Sequence, residues 1–158
     1  MDRQETSDYN ARNIAEFRAR GGTLDSFGDA PLLLLTTVGA KSGEARTNPV
    51  MYLADQEADR VYVFASAAGS DTNPDWFTNL VAHPDEVTVE IGRETLTANA
   101  EVLPEAVRKQ TYDIQADRYP GFAEYQAKTA RPIPVVALNL HMQQHPRVDR
   151  PVLGTSME

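Results

Sequence analysis

Residues 86–103, EVTVEIGRETLTANAEVL, alternate apolar and polar positions on either side of Gly92 and Arg93. Val87, Val89 and Ile91 share one face of the first half; Leu96, Ala98, Ala100 and Val102 share one face of the second. A repeat of two belongs to an extended chain with one face buried, because a helix would scatter those side chains around its circumference. Two such segments across a glycine-containing pair predict an antiparallel hairpin with a two-residue turn.

The remaining segments read around that hairpin. LLLLTTV, after Pro31, is a short continuous apolar and β-branched run and reads as a buried strand. GAKSGEAR is a turn, and TNPVMYLA a second strand with Pro49 at its start, where proline is tolerated. RVYVFAS is a third strand closed by the loop AAGSDTNP, and PDWFTNLVA a short helix with Pro74 suited to the first turn. Pro104 opens a helix to about Arg118, YPGFAEYQAKT adds a helical or looped aromatic segment, and IPVVALNL is the last strand. Upstream, residues 7–20 place Ala11, Ile14, Ala15 and Arg18 at helical spacing beside Phe17, and Gly21-Gly22 supplies the stop. That helix has a thin apolar face, read as packing on its own domain, with a membrane surface or a partner as the alternative. Strands joined mostly by hairpins, with helices at the ends and between them, do not alternate as a doubly wound parallel sheet requires. A small antiparallel barrel with peripheral helices, mainly β within the α+β class, fits the order.

The length of 158 residues fits one domain, and no apolar run approaches a membrane span. The N-terminus is too polar for a signal peptide, and the chain holds no cysteine, which excludes disulfides, thiolate metal sites and thiol nucleophiles. These features fit a cytoplasmic protein. A formal net charge of -8 argues against nucleic acid as a partner. Against that acidic background, Lys41 and Arg46 stand together on one glycine-flanked turn; between Lys41 and Arg93 the only other lysine or arginine besides Arg46 is Arg60.

Several chemistries are missing. GAKSG is not a phosphate loop, because the motif's upstream glycine is missing and a strand with Pro49 follows instead of a helix. His83, His141 and His145 are scattered without the spacing of a metal site. Ser66 lacks the glycine-flanked elbow of hydrolases. With no evident acid, base or nucleophile, a bound cofactor is expected to carry any reaction. Three segments can converge on one ligand: Lys41, Ser42 and Arg46 as charge-assisted donors, residues 66–73 as a backbone nest, and the helix start at NPDWFTNL, with Trp76 and Asn79 one turn apart. A solvated turn, an ordinary loop and a core tryptophan account for the same residues, so composition and spacing name no ligand.

PLLLLTTVGAKSGEARTNPVMYL, VYVFAS, NPDWFTNLVAHPDEVTVEIG and YPGFAEYQAKTARPIPVVAL, taken in order, resemble the deazaflavin (coenzyme F420)-dependent nitroreductase and quinone reductase family. The resemblance covers roughly residues 31–140 and rests on K-S-G-x-x-R-x-N-P followed by N-P-x-W-[FY]-x-N-L. It implies a six-stranded split β-barrel like the FMN-binding barrels, with an N-terminal helix and linker at 1–30 and an extended tail at 141–158. It implies an enzyme that passes a hydride from reduced coenzyme F420 to a quinone, nitroaromatic or activated alkene. An FMN-dependent reductase on the same barrel, or a non-catalytic module that sequesters the coenzyme or a quinone-like ligand, are the alternatives. The implied partners are small molecules; the chain is a monomer or homodimer, with peripheral membrane contact open to its first helix.

The resemblance also places residues. Lys41, Ser42 and Arg46, with Ala40 beside them, would hold the phosphate and oligoglutamate tail. Thr47, Asn48, Pro49, Val50 and Met51 would run along the deazaflavin ring, and Ala65, Ser66 and Ala67 would meet the ring or its polyol chain through backbone groups. Asp75, Trp76, Phe77 and Asn79 would form the helix side; Tyr119, Phe122 and Tyr125, with Met51, would line the mouth where the acceptor stacks. Ser66, Tyr119 and Tyr125 are the candidate catalytic residues, stabilising charge on the acceptor oxygen or supplying a proton. Ala40 and Ala67 stand where the family often has basic residues, a loss of about 0.3–1 kcal/mol each at exposed positions.

Overall fold

The computed structural model describes residues 3–55 and 58–141. Its strands are β1 (Leu32–Val38), β2 (Ala45–Ala54), β3 (Arg60–Phe64), β4 (Val87–Ile91), β5 (Glu94–Val102) and β6 (Val135–His141). Its helices are α1 (Arg3–Arg20), α2 (Asp75–Ala82), α3 (Glu105–Arg118) and α4 (Gly121–Ala127). The strands close into one barrel in the order β1-β2-β3-β6-β5-β4, with β4 returning to β1 and every pair antiparallel. The expected hairpin is present: Ile91 pairs with Glu94, and Gly92 turns the chain at a φ of 59°.

The period of two decides what lies inside. Leu33, Leu35, Val61, Val63, Val87, Val89, Leu96, Ala98, Val136 and Leu138 alternate along their strands and meet in the barrel interior. The intervening positions face outward; helices cover those of β1, β3 and β6, while Thr95, Thr97 and Glu101 of β5 are exposed. Leu32 and Leu34 pack under Phe17 of α1, together with Leu24. Leu53, Phe64 and Val135 pack under Tyr112 of α3 and Phe122 of α4, together with Ile133. The four leucines of β1 are therefore all buried because both faces of that strand are covered.

α1 sets Ile14 and Phe17 against its own barrel, while Ala11 and Ala15 of the expected apolar face are exposed. Phe17 is buried, Ile14 is half-buried, and Arg18 forms a two-pronged pair with Glu90 of β4 at 2.9 Å. Just past the helix, a Cβ on Gly22 would meet the Gly92 Cα at 2.7 Å, so the two backbones touch where a side chain would not fit. Ile14 and Phe17 thus find their cover within the domain, and nothing in the packing of α1 supports a membrane contact. Among the described residues no helix is long and apolar enough to cross a membrane.

Three expectations shift. α1 begins at Arg3, one turn earlier than residues 7–20 indicate. His141, expected as the first residue of the tail, ends β6, and the rest of that tail lies outside the described residues. Pro49 does not start β2 but sits at its middle, opposite Leu34. The strand accepts it because β2 pairs with β3 only over Tyr52–Ala54, which leaves the first half with an open edge. Thr47, two residues earlier, turns its carbonyl to that edge and accepts from Asn10 Nδ2 of α1 at 2.7 Å. A missing N–H on the same edge breaks no ladder bond.

Candidate functional site

The inward face of β2 does not stop at the core. Tyr52 and Val50 pack into the barrel, and the next two positions on that face, Asn48 and Arg46, continue past its last apolar layer. α2 closes this end of the barrel, driving Trp76 and Leu80 into the core. Between α2 and the β1–β2 turn lies a cleft of about 630 Å³ lined by Gly39, Ala40, Lys41, Ser42, Arg46, Asn48, Asp75, Trp76, Thr78 and Asn79. Two segments separated by some thirty residues of chain, the cationic turn and the helix start, thus form facing walls.

Asn79 joins the walls. Its Oδ1 accepts the Ala40 N–H at 3.0 Å, and its Nδ2 donates to Thr37 Oγ1 at 3.2 Å. Both ends of this amide are engaged within the protein, so Asn79 braces the turn, with one N–H of its Nδ2 left over. Ser42 Oγ accepts the Glu44 N–H at 3.1 Å, which leaves its own proton available. Arg46 lends one nitrogen to Glu44 at 3.0 Å, in a pair more than half exposed on both sides. Lys41 has no ion pair or hydrogen bond among the described residues. Asp75 adds a carboxylate to the first turn of α2, where the helix N-terminus favours negative charge.

The loop from Ser66 to Asn73 leads into α2 and is held from outside by Arg131. That guanidinium donates to Ser66 O, Ser70 O, Thr72 O and Asn73 Oδ1 at 2.8–3.2 Å. Ala67 and Ala68 sit at φ of 45° and 54°, a left-handed conformation costing alanine roughly 1–2 kcal/mol per residue. The Ala65 N–H goes to Pro134 O, and within the loop the Ser66, Gly69, Ser70 and Thr72 N–H groups are engaged, so Ala67, Ala68, Asp71 and Asn73 stay open among the described residues. A nest of successive free donors is accordingly narrower than the loop composition indicates. The Ser66 hydroxyl has no hydrogen bond among the described residues.

The remaining candidates lie elsewhere. Met51 faces outward from β2, packed between the α1 cluster and the aromatic cluster under α3 and α4. Tyr119 and Tyr125 are half-buried against that aromatic cluster. Phe122 is only 8% exposed, edge-on to Phe64 at 5.6 Å and to Tyr125 at 5.4 Å. It has no open face for an acceptor to stack on. Phe77 and Val50 pack on the barrel core, Pro49 and Thr47 lie on the open edge of β2, and Ala65 is fully buried. The structure therefore gathers Ala40, Lys41, Ser42, Arg46, Asn48, Asp75, Trp76 and Asn79 in the cleft and Met51, Tyr119, Phe122 and Tyr125 in a second group. Loop 66–73 packs on α4: a Cβ on Gly69 would meet Tyr125 O at 2.8 Å.

Two residues carry no signal in the sequence. Arg131 works through backbone carbonyls far away in the chain. Gln115 is fully buried on the core-facing stripe of α3, between Tyr112 and Tyr119, with neither amide atom hydrogen-bonded among the described residues. Burial pushes the Tyr112 hydroxyl up to about 12, against the partial offset of nearby Arg108. That hydroxyl donates to Phe122 O at 2.7 Å, tying α3 to α4.

A model of the F420H(2)-dependent quinone reductase family matches residues 9–139. The chain belongs to this family. The F420H(2)-dependent quinone reductase of Mycobacterium tuberculosis is 36% identical over 117 residues, spanning 70% of this chain and 74% of the relative. A solved F420-H2 dependent reductase, FDR-A, is 35% identical, with a TM-score of 0.61 over 69% of this chain and 94% of that one. Another solved structure, described as a domain-swapped dimer, is 34% identical, with a TM-score of 0.63 over 85% of this chain and 99% of the other.

The split barrel implied by the resemblance is the fold observed. Membership makes the chain an oxidoreductase that uses coenzyme F420, and it retires both FMN and a non-catalytic module as readings. The donor set of the cleft fits such a group. An unpaired lysine, a half-committed arginine and a serine hydroxyl with its proton free suit the anionic end of the coenzyme, in a volume open to solvent.

Proposed function

We propose that the chain reduces a quinone, with the coenzyme's anionic tail held by Lys41, Ser42 and Arg46. The observation that carries this reading is the cleft itself, where Lys41 is unpaired among the described residues and Arg46 is tied to Glu44 through one nitrogen only, in a solvent-exposed pair. When bound, the reduced deazaflavin supplies the hydride. The protein then has to hold the tail, exclude water from the reacting pair and present donors to the acceptor oxygens.

For that last task the reading assigns Ser66, Tyr119 and Tyr125, whose hydroxyls have no partner among the described residues, whereas those of Tyr62 and Tyr112 are engaged by Asp55 and Phe122 O. A quinone carbonyl becomes more basic as it gains electron density, so a hydroxyl aimed at it binds the transition state better than the ground state. Asn48 is assigned to the ring's cleft side, and Thr47, Pro49, Val50 and Met51 to the strand that guides it. Phe122 braces Tyr125. Ala40 and Asn79 fix the turn, while Trp76 and Phe77 wall the helix side.

Nitroaromatics and activated alkenes also place a charged oxygen where these hydroxyls would sit, so the acceptor is decided by rate. Steady-state assays with reduced coenzyme F420 against menadione, a nitroimidazole and cyclohexenone test it. The reading expects menadione to give the highest kcat/KM; a nitroimidazole or an enone ahead of it would overturn the choice of quinone.

A further inference from the structure

We propose that Arg131 is a positioning residue for hydride transfer, acting through the loop from Ser66 to Asn73; this rests on the reductase reading above. Three nitrogens of one guanidinium reach Ser66 O at 3.1 Å, Ser70 O at 2.9 Å, Asn73 Oδ1 at 2.8 Å and Thr72 O at 3.2 Å. A second tie backs them: Thr129 Oγ1 donates to Asp71 Oδ1 at 2.9 Å and accepts the Arg131 N–H at 3.3 Å. The acceptors run the length of the loop and are brought to one point only because the chain turns left-handed at Ala67 and Ala68.

Alanine does not adopt that conformation unaided; something must over-determine it. The Gly69 N–H to Ser66 O and Ser70 N–H to Ala67 O bonds close the turn locally, and Arg131 clamps it from outside. The loop begins at Ser66, whose hydroxyl is available, and ends where α2 begins, carrying Asp75 and Trp76 into the cleft wall. One side chain therefore sets the acceptor-side hydroxyl, while α2 keeps its own hold on the core through Trp76 and Leu80 and on the cationic turn through Asn79. A lysine would carry the charge but not the planar fork that serves four acceptors at once.

The test uses the full chain with Arg131→Ala, Arg131→Lys and the double variant Arg131→Ala/Ala68→Gly. Glycine occupies positive φ without strain, so Ala68→Gly should let the loop keep its conformation when the clamp is gone. Amide hydrogen exchange on the coenzyme-free protein is expected to rise at least tenfold at Gly69 and Ser70 in both single variants, with Val63 and Val89 unchanged. In turnover, kcat with menadione should fall at least tenfold while KM for reduced coenzyme F420, set by Lys41 and Arg46, moves less than threefold. Ala68→Gly should restore at least threefold of the lost kcat and lower the loop exchange. If Arg131→Ala does not fold, Arg131→Lys carries the same two readouts. Wild-type kcat in the single variants, or a lost kcat with wild-type exchange at Gly69 and Ser70, would overturn the proposal. A wild-type protein without turnover overturns the reductase reading instead, and the exchange arm, which needs no coenzyme, still decides whether Arg131 holds the loop.

Discussion

Asn79 of α2 accepts the Ala40 N–H at 3.0 Å, fastening the helix that closes the barrel to the turn that carries Lys41. The same amide donates to the buried Thr37 Oγ1, so one side chain satisfies a turn donor and a strand hydroxyl together. Removing it leaves both groups without a partner, at about 1–3 kcal/mol for each that stays buried. Asn79→Ala should therefore lower unfolding stability in urea and weaken coenzyme binding. Thermodynamic stability and affinity falling together would mark the brace.

Glu44 competes with the coenzyme for Arg46. The pair is exposed on both sides, so losing it costs the fold little. Glu44→Gln frees the guanidinium and removes a like charge from the approach of an anionic tail. The coenzyme should bind about two- to fivefold tighter at low salt, with the gain shrinking as salt is raised. Titrations at two ionic strengths measure it.

Gln115 is the reverse case, a buried amide that serves no visible bond. Methionine has nearly its shape without its polar atoms. Gln115→Met should raise stability by about 1–3 kcal/mol, read from denaturant midpoints at unchanged slope. A loss of stability instead would show that the amide has a partner, and a loss of turnover would place that partner in the reaction.

The Tyr112 hydroxyl titrates at about 12 in the folded chain against 10.0 for an ordinary tyrosine, mainly because burial disfavours the phenolate. Its folded value is raised, so its stabilising contribution is complete below pH 10 and is lost as pH climbs from there through about 12. That contribution is on the order of 2 kcal/mol. Tyr112→Phe removes the hydroxyl and its bond to Phe122 O, so the variant should be less stable at neutral pH but flatter across this alkaline window. Urea melts at stepped pH compare the two slopes.

These residues show what was legible in the sequence. The alternation at 86–103 specified β4, β5 and their turn because a half-buried strand writes its faces directly into the chain. The leucine run identified β1 as buried, but only the helix α1 and the barrel together explain why neither face is exposed. Pro49 misled because the open edge of β2 depends on where β3 stops pairing, which no local pattern reports. At the site, Lys41 and Arg46 stood out against an acidic background. Met51 did not declare its place, since one residue of register in β2 decides which side faces the cleft, and Phe122 did not, because its burial depends on Phe64 and Tyr112 from two other elements. Arg131 was invisible because three of its four acceptors are backbone oxygens, identical in every residue type.

The most direct test of the account is a fluorescence titration of oxidised coenzyme F420 into the wild type and into Lys41→Ala/Arg46→Ala, at low and at high salt. If the cleft between the β1–β2 turn and α2 holds the anionic tail, the double variant binds at least roughly tenfold more weakly at low salt, and the wild type loses most of that advantage as salt rises. Equal affinity of the two proteins at low salt, or no binding by the wild type at tens of micromolar, would contradict it.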